Sequence, residues 1–166
     1  MKVYLIGMPG CGKTTLGQQF ASEMSLPFVD LDQQIEAREK KSIPEIFDQQ
    51  GETYFRQVES GVLYEWVGSD KSFIMATGGG TPCFHRGMEV INLTGLSIFL
   101  DTPVEVLLER LSRETGRPTV KANNTEELKR KLERMRENRL QFYQQAQIIV
   151  QDTDLPGLLA KIGFRK

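Results

Sequence analysis

Apolar positions in this chain follow two alternating patterns. Short continuous runs, Val3-Tyr4-Leu5-Ile6, Phe73-Ile74-Met75-Ala76 and Leu96-Ser97-Ile98-Phe99-Leu100, predict buried strands, as do Pro27-Phe28-Val29-Asp30 and Gln147-Ile148-Ile149-Val150. Between them the apolar residues recur at helical spacing. Leu16, Phe20 and Met24 share one helical face, as do Phe55, Val58, Val62 and Trp66. Val104, Leu107, Leu108 and Leu111 mark another helix, then Leu128, Leu132 and Met135, and finally Leu155, Leu158, Leu159 and Ile162. Strand and helix in alternation predict an α/β fold, a parallel sheet covered by helices on both faces.

The breaks refine this. A helix is expected over 32–39, with Asp32 near its N-cap. Ser42-Ile43-Pro44 ends it, and Pro44 suits a new first turn. A short helix over 45–50 should stop at Gly51, before a longer one over 52–67 and a short helical piece near 87–92. The segment 114–124 is polar, holds Gly116, Pro118 and Asn123-Asn124, and has no helical period, so we expect a mobile loop there.

Composition narrows the function. The 166 residues suit one domain, 1–166, large enough for a real core. Charged residues make up 26% and sum to −1, which argues against nucleic acid or a membrane surface as the main partner. No apolar run is long enough to span a bilayer. The chain enters a strand at once, so no signal peptide is expected. Cys11 and Cys83 read as reduced thiols, consistent with a cytoplasmic protein. His85 is the only histidine and no C-x-x-C occurs, which disfavours a metal-ligand cluster and a Ser/His/Asp triad. No apolar stripe is left over once the core is assigned, so a monomer is expected.

The strongest chemical signal is Gly7-Met8-Pro9-Gly10-Cys11-Gly12-Lys13-Thr14-Thr15, which fits G-x-x-x-x-G-K-[ST] between a strand and a helix. Its glycines let backbone N–H groups turn inward, and the helix N-terminus adds unpaired donors and positive partial charge. Lys13 would reach the β- and γ-phosphates of a nucleoside triphosphate, and the Thr14 hydroxyl would bind Mg²⁺. A carboxylate at a strand end should complete the metal site, and Asp30 and Asp101 both qualify. Cys11, at a helix N-terminus, is expected to alkylate fast and to be protected by ATP.

Ligands of open parallel sheets bind beyond the strands' carboxyl ends, where Asp30, Asp32, Thr77-Gly78-Gly79-Gly80 and Asp101 all fall. Three successive glycines suggest backbone approaching a ligand closely. Arg56 and Glu59 share a helix side, and Glu59 lies near an apolar arc where a carboxylate wants a cationic partner; a surface ion pair is the plain alternative. Arg139 continues the stripe of Leu128, about 20° from it around an ideal helix. An arginine where a core residue is due suggests a guanidinium reaching into a cleft to hold a carboxylate. Arg110, Arg113 and Arg117 flank the polar loop. Arg113 reads as a solvated helix end and Arg117 as an arginine on a closing segment.

Together these residues resemble the shikimate kinase family along nearly the whole chain. The resemblance rests on the glycine loop, Asp30-Leu31-Asp32, Phe55-Arg56 with Glu59, Gly78-Gly79-Gly80, Arg117-Pro118, and Arg139 four before Tyr143. It implies a three-layer α/β/α kinase fold with a five-stranded sheet of order 2-3-1-4-5. It also implies transfer of the ATP γ-phosphoryl to the 3-hydroxyl of shikimate. By position, Gly10, Cys11, Gly12, Lys13, Thr14, Thr15, Arg110 and Arg117 would bind ATP, with Lys13, Asp32 and Arg117 catalytic. Asp32, Arg56, Glu59, Gly78, Gly79, Gly80 and Arg139 would bind shikimate, walled by Phe47 and Phe55 on helices within 32–66. Asp30 would hold Mg²⁺ through water, which decides between it and Asp101. The lid would span about 113–125; Pro118-Thr119-Val120 departs from the family there, where leucines are more usual. Three rivals remain: a kinase of this fold acting on gluconate or a nucleoside monophosphate, a GTP-driven switch, and a non-catalytic nucleotide-binding module, the last disfavoured because Lys13, Asp30, Asp32 and Arg117 are all present. The switch is disfavoured because Asp48-Gln49-Gln50-Gly51 follows a helix and no N-K-x-D occurs.

Overall fold

A computed structural model describes residues 1–113, 125–151 and 154–163. Five strands form one parallel sheet: β1 (Lys2–Ile6), β2 (Phe28–Asp30), β3 (Phe73–Ala76), β4 (Leu96–Leu100) and β5 (Ile148–Val150). Their order is β2-β3-β1-β4-β5, as the family resemblance implied. The central strand shows why both faces must be covered. Successive side chains of a strand point to opposite faces. Val3, Tyr4, Leu5 and Ile6 are nevertheless each at most 1% exposed.

Among the described residues the helices are α1 (Lys13–Met24), α2 (Leu31–Glu39), α3 (Ile43–Gly68), α4 (Gly87–Thr94), α5 (Val104–Arg113), α6 (Thr125–Tyr143) and α7 (Leu155–Lys161), with a single 3-10 turn at Thr81–Cys83. The stripe of α1 does what its spacing predicts: Leu16, Phe20 and Ala21 are buried against the sheet. Likewise Leu128 and Leu132 of α6 join the core, with Met135 packed against it.

Two helix starts are worked out by side chains. Ser42 accepts from the Glu45 N–H while the Glu45 carboxylate accepts from the Ser42 N–H, so both orphan donors are satisfied. The helix this starts runs to Gly68 with one break at Gly51 (φ 81°, ψ 173°), where the sequence placed the end of one helix and the start of the next. α2 sharpens the sequence reading. Its N-cap is Asp30, whose Oδ1 accepts from the N–H groups of Asp32 and Gln33 at 3.1 and 3.3 Å; Asp32 sits inside the first turn. The expected lid loop, with Arg117 and Pro118, lies outside the described residues.

Candidate active site

The carboxyl ends of β1, β2 and β3 open into one cleft of ≈ 1430 Å³. That exceeds the usual size of a pocket for one small ligand. Its lining runs from Gly10, Gly12, Lys13, Thr14 and Thr15 to Asp32, Phe47, Phe55, Arg56, Glu59, Gly78, Gly79, Gly80 and Arg139, with Asp30 and Arg110 between. Nearly every described residue singled out by the sequence therefore faces one space with two ends.

At the first end the loop after β1 is shaped by backbone. Gly7, Gly10 and Gly12 have φ of 147°, 79° and 96°, values that side chains resist. Gly12 caps α1 without any side-chain acceptor for the helix's first N–H groups. Those donors point to where an anion would sit. Lys13 Nζ lies back over the loop, donating to the carbonyls of Gly7 and Met8 at 3.0 and 2.9 Å. Thr14 Oγ1 donates to Asp30 Oδ2 at 2.9 Å. Asp101 instead accepts from Arg136 at 2.6 Å. Of the two carboxylates the sequence left tied, only Asp30 is hydrogen-bonded to the loop threonine. Arg110 is exposed on α5, with Nη1 3.4 Å from the Gly10 carbonyl. Arg113 pairs with Glu109 in solvent, as its helix-end reading implied.

The structure weighs against one expectation here. Cys11 is fully buried, its Sγ 3.6 Å from Lys13 Nζ and packed under Gly7. A thiol so placed is shielded from electrophiles, which counts against fast alkylation despite the helix N-terminus.

The second end is built from buried charge. Arg56 and Glu59, on one face of α3, are 8% and 2% exposed, which rules out the surface-pair alternative. Arg56 Nη1 donates to Glu59 Oε2 at 2.8 Å, and the other Glu59 oxygen accepts from Thr81 Oγ1 at 2.7 Å. Both carboxylate oxygens are thus satisfied, as a buried charge requires. Asp32 lies opposite. Burial, reinforced by the charges of Asp30 and Glu59 and opposed by Lys13, pushes its carboxyl from 3.8 up to about 6. Phe47 and Phe55 stand with ring centroids 4.6 Å apart at its rim.

The three glycines after β3 have a further reason that sequence reasoning missed. A Cβ on Gly78 would stand 2.7 Å from Glu59 Oε1 and 3.0 Å from Asp32 Oδ1. On Gly79 it would stand 2.8 Å from Arg139 Nη1, and on Gly80 2.6 Å from the Arg56 guanidinium carbon. Each glycine therefore leaves room for a different charged side chain. None of the three has a positive φ, so space and not backbone freedom is what they supply.

Two supports were given no role by the sequence reading. Thr81 orients Glu59, as above. Tyr143, fully buried, donates its hydroxyl to the Gly79 carbonyl at 2.6 Å. Burial raises its phenol well above the ordinary value, so it stays a donor. Its position four after Arg139 was the available signal, since the two share a helix face. Burial likewise pushes up the Cys83 thiol beside Arg139 and Arg56.

Comparison with known proteins agrees with this geometry. The family model described as shikimate kinase matches residues 9–158. A shikimate kinase of Bacteroides thetaiotaomicron is 39% identical over 156 residues, covering 93% of this chain and 89% of its own. The 1.7 Å crystal structure of shikimate kinase from that organism superposes with a TM-score of 0.89 at 36% identity, over 98% of this chain and 94% of the other. Shikimate kinase from Acinetobacter baumannii, solved in complex with shikimate, gives a TM-score of 0.85 at 32% identity, over 97% and 89%. The chain belongs to the shikimate kinase family, the ATP-dependent kinases that phosphorylate shikimate on the way to the aromatic amino acids.

Proposed function

We propose that the chain carries out this reaction, on the 3-hydroxyl of shikimate, with a division of labour between the two ends of the cleft. The observation that carries the reading is the meeting of Asp32, Arg56 and Arg139 around the triple glycine. A small carboxylated polyol needs cations for its carboxylate and an aspartate for its hydroxyl, and these are the groups that converge.

Arg56, Arg139 and the N–H groups near Gly79 grip the carboxylate and ring hydroxyls, with the paired rings of Phe47 and Phe55 as a wall of the pocket. Glu59 fixes Arg56 through their 2.8 Å bond. Asp32 accepts the proton of the attacking hydroxyl; with its carboxyl near 6 it is ionised at pH 7 yet basic enough to matter. Lys13 turns from the carbonyls of Gly7 and Met8 to the β- and γ-phosphates, with the N–H groups of Gly10, Cys11, Gly12, Lys13, Thr14 and Thr15 around them. Arg110 lies beside the adenine, and Arg117 on the lid joins the phosphates as the family resemblance implies. Positioning and electrostatics carry the rate, because phosphoryl transfer leaves the protein little covalent work.

Thr14 and Asp30 suit Mg²⁺: a hydroxyl and a carboxylate, both hard oxygen donors, already 2.9 Å apart. They would hold one Mg²⁺ per chain, Asp30 through water. When bound, the ion neutralises phosphate charge. We further propose that the chain is one kinase domain, monomeric and cytoplasmic. In its support, no helix among the described residues is long and apolar enough to cross a membrane.

The test is a coupled ADP-release assay with Mg-ATP, comparing shikimate with gluconate and AMP. Turnover with shikimate alone is expected. Turnover with another acceptor would keep the nucleotide half and force Asp32, Arg56 and Arg139 to be reassigned.

A further inference from the structure

One aromatic side chain beside the acceptor end has no part in the roles above. Three of the five N–H groups of Arg56 go to carboxylates, one from Nη1 to Glu59 at 2.8 Å and those from Nε and Nη2 to Glu52 at 3.3 and 3.2 Å, which leaves one donor on each Nη for a ligand. Its face meets rings. The guanidinium carbon lies 5.0 Å from the Phe55 centroid and closer, 4.3 Å, to that of Phe84. Phe84 is itself 39% exposed. It stands between water and a guanidinium that is 8% exposed.

The segment that presents Phe84 is held in an unfavourable backbone. His85 and Arg86, neither of them glycine, have φ of 46° and 59°. Around them the structure is tied down at several points. The Tyr64 hydroxyl donates to the His85 carbonyl at 2.9 Å, and the Gly87 N–H to the Phe84 carbonyl at 2.8 Å. Arg86 Nε donates to Glu89 at 2.6 Å. A Cβ on Gly87 would collide with the Thr81 carbonyl. A side chain that merely faced solvent would need no such fixing.

We propose that Phe84 is a positioning residue for the acceptor: its ring lies on the Arg56 guanidinium and holds that plane in the orientation that takes the substrate carboxylate. The proposal rests on the reading of Arg56 as a carboxylate ligand. A ring attracts a cation most strongly where water is excluded, and here the ring itself excludes it. Without the ring, water reaches Arg56 and competes for its bonds to Glu52, the exposed one of its two partners, so the guanidinium plane is held less firmly. The effect falls on acceptor binding. Among the described residues, no hydrogen bond joins Phe84 to the glycine loop.

The test is steady-state kinetics and thermal melting of Phe84→Ala, Leu, Tyr and Trp, with Arg56→Lys alongside. We expect Phe84→Ala to raise KM for shikimate about tenfold and Phe84→Leu several-fold, while Tyr and Trp stay within about twofold of the parent. In all four, kcat and KM for ATP should stay within about twofold, since no group that touches phosphate is altered. If Leu matches Phe, bulk alone suffices and the ring–cation proposal falls. If Ala leaves KM for shikimate unchanged while Arg56→Lys raises it, Phe84 has no role and the Arg56 reading survives. If Arg56→Lys itself changes nothing, the Arg56 reading falls and takes the proposal with it. A loss of kcat and both KM values together with a lowered Tm would make Phe84 a purely structural residue, and would also overturn the proposal.

Discussion

The two ends of the cleft are built for their proposed ligands by opposite means. The nucleotide end is made largely of backbone: three glycines at positive φ, an uncapped helix N-terminus, and one lysine resting on carbonyls. The acceptor end is made of side-chain charge collected from α2, α3 and α6 and pressed against the triple glycine. Backbone recognition is contiguous, because neighbouring N–H groups must share one curve. Side-chain recognition is dispersed, because each charge needs its own element to carry it and its own partner when buried. The first end costs backbone entropy, since glycines lose the most freedom on folding. The second stores unfavourable electrostatics in the folded protein, most visibly at Asp32.

Replacing Asp32 should therefore separate the two ends most sharply. Asp32→Asn is expected to lower kcat by about 10³-fold, within the range for loss of a general base, with ATP affinity nearly intact. The same change should stabilise the free protein at neutral pH. The folded carboxyl titrates near 6 against 3.8 ordinarily, so the folded state binds the proton more tightly. Its ionisation penalty is absent below about pH 4, grows toward pH 6 and is complete above it, at most about 3 kcal/mol. Melting curves of the two proteins should diverge above pH 6 and converge near pH 4. Likewise kcat/KM of the parent should fall about tenfold per unit below pH 6. The same slope persisting in Asp32→Asn would assign it to another group.

Arg139→Ala tests the second cation. Loss of a desolvated partner for a carboxylate should weaken shikimate binding by about 10²-fold. Affinity for ATP, followed by nucleotide titration, should change less than about threefold. A loss on the ATP side with the acceptor side unchanged would put Arg139 in the wrong half. A smaller effect is expected from Gly79→Ala, whose Cβ displaces the end of that same guanidinium. Because a side-chain terminus yields more easily than backbone, we expect about tenfold in KM for shikimate and little in Tm. Equal losses for both substrates would show that the loop, and not the arginine, had moved.

The contrast also explains what could be read in advance. The glycine loop was legible in full, because its conformation is written into contiguous residues. Arg139 was legible because it violates the apolar stripe of α6, and Gly51 because glycine breaks the helical pattern of α3. Asp30 was not separable from Asp101, since both close a strand and only the fold brings one of them to Thr14. Asp32 was placed near the cap, but that Asp30 is the cap itself was not legible, because the two aspartates compete two positions apart. The burial of Cys11 and the reach of Tyr143 to Gly79 depend on packing between elements distant in sequence, and local pattern carries no trace of that.

The triple glycine has one more consequence, for how such a site can change over generations. Each of its positions is the mould of a side chain that belongs elsewhere: Gly78 of Glu59 and Asp32, Gly79 of Arg139, Gly80 of Arg56. A mutation at any one of them collides with a partner, while shortening the partner first leaves a gap and, on the proposed roles, a weakened acceptor site. Passage to a different acceptor must go through coupled substitutions, mould and cast together. These adjacent codons are bound to distant ones far more tightly than to each other.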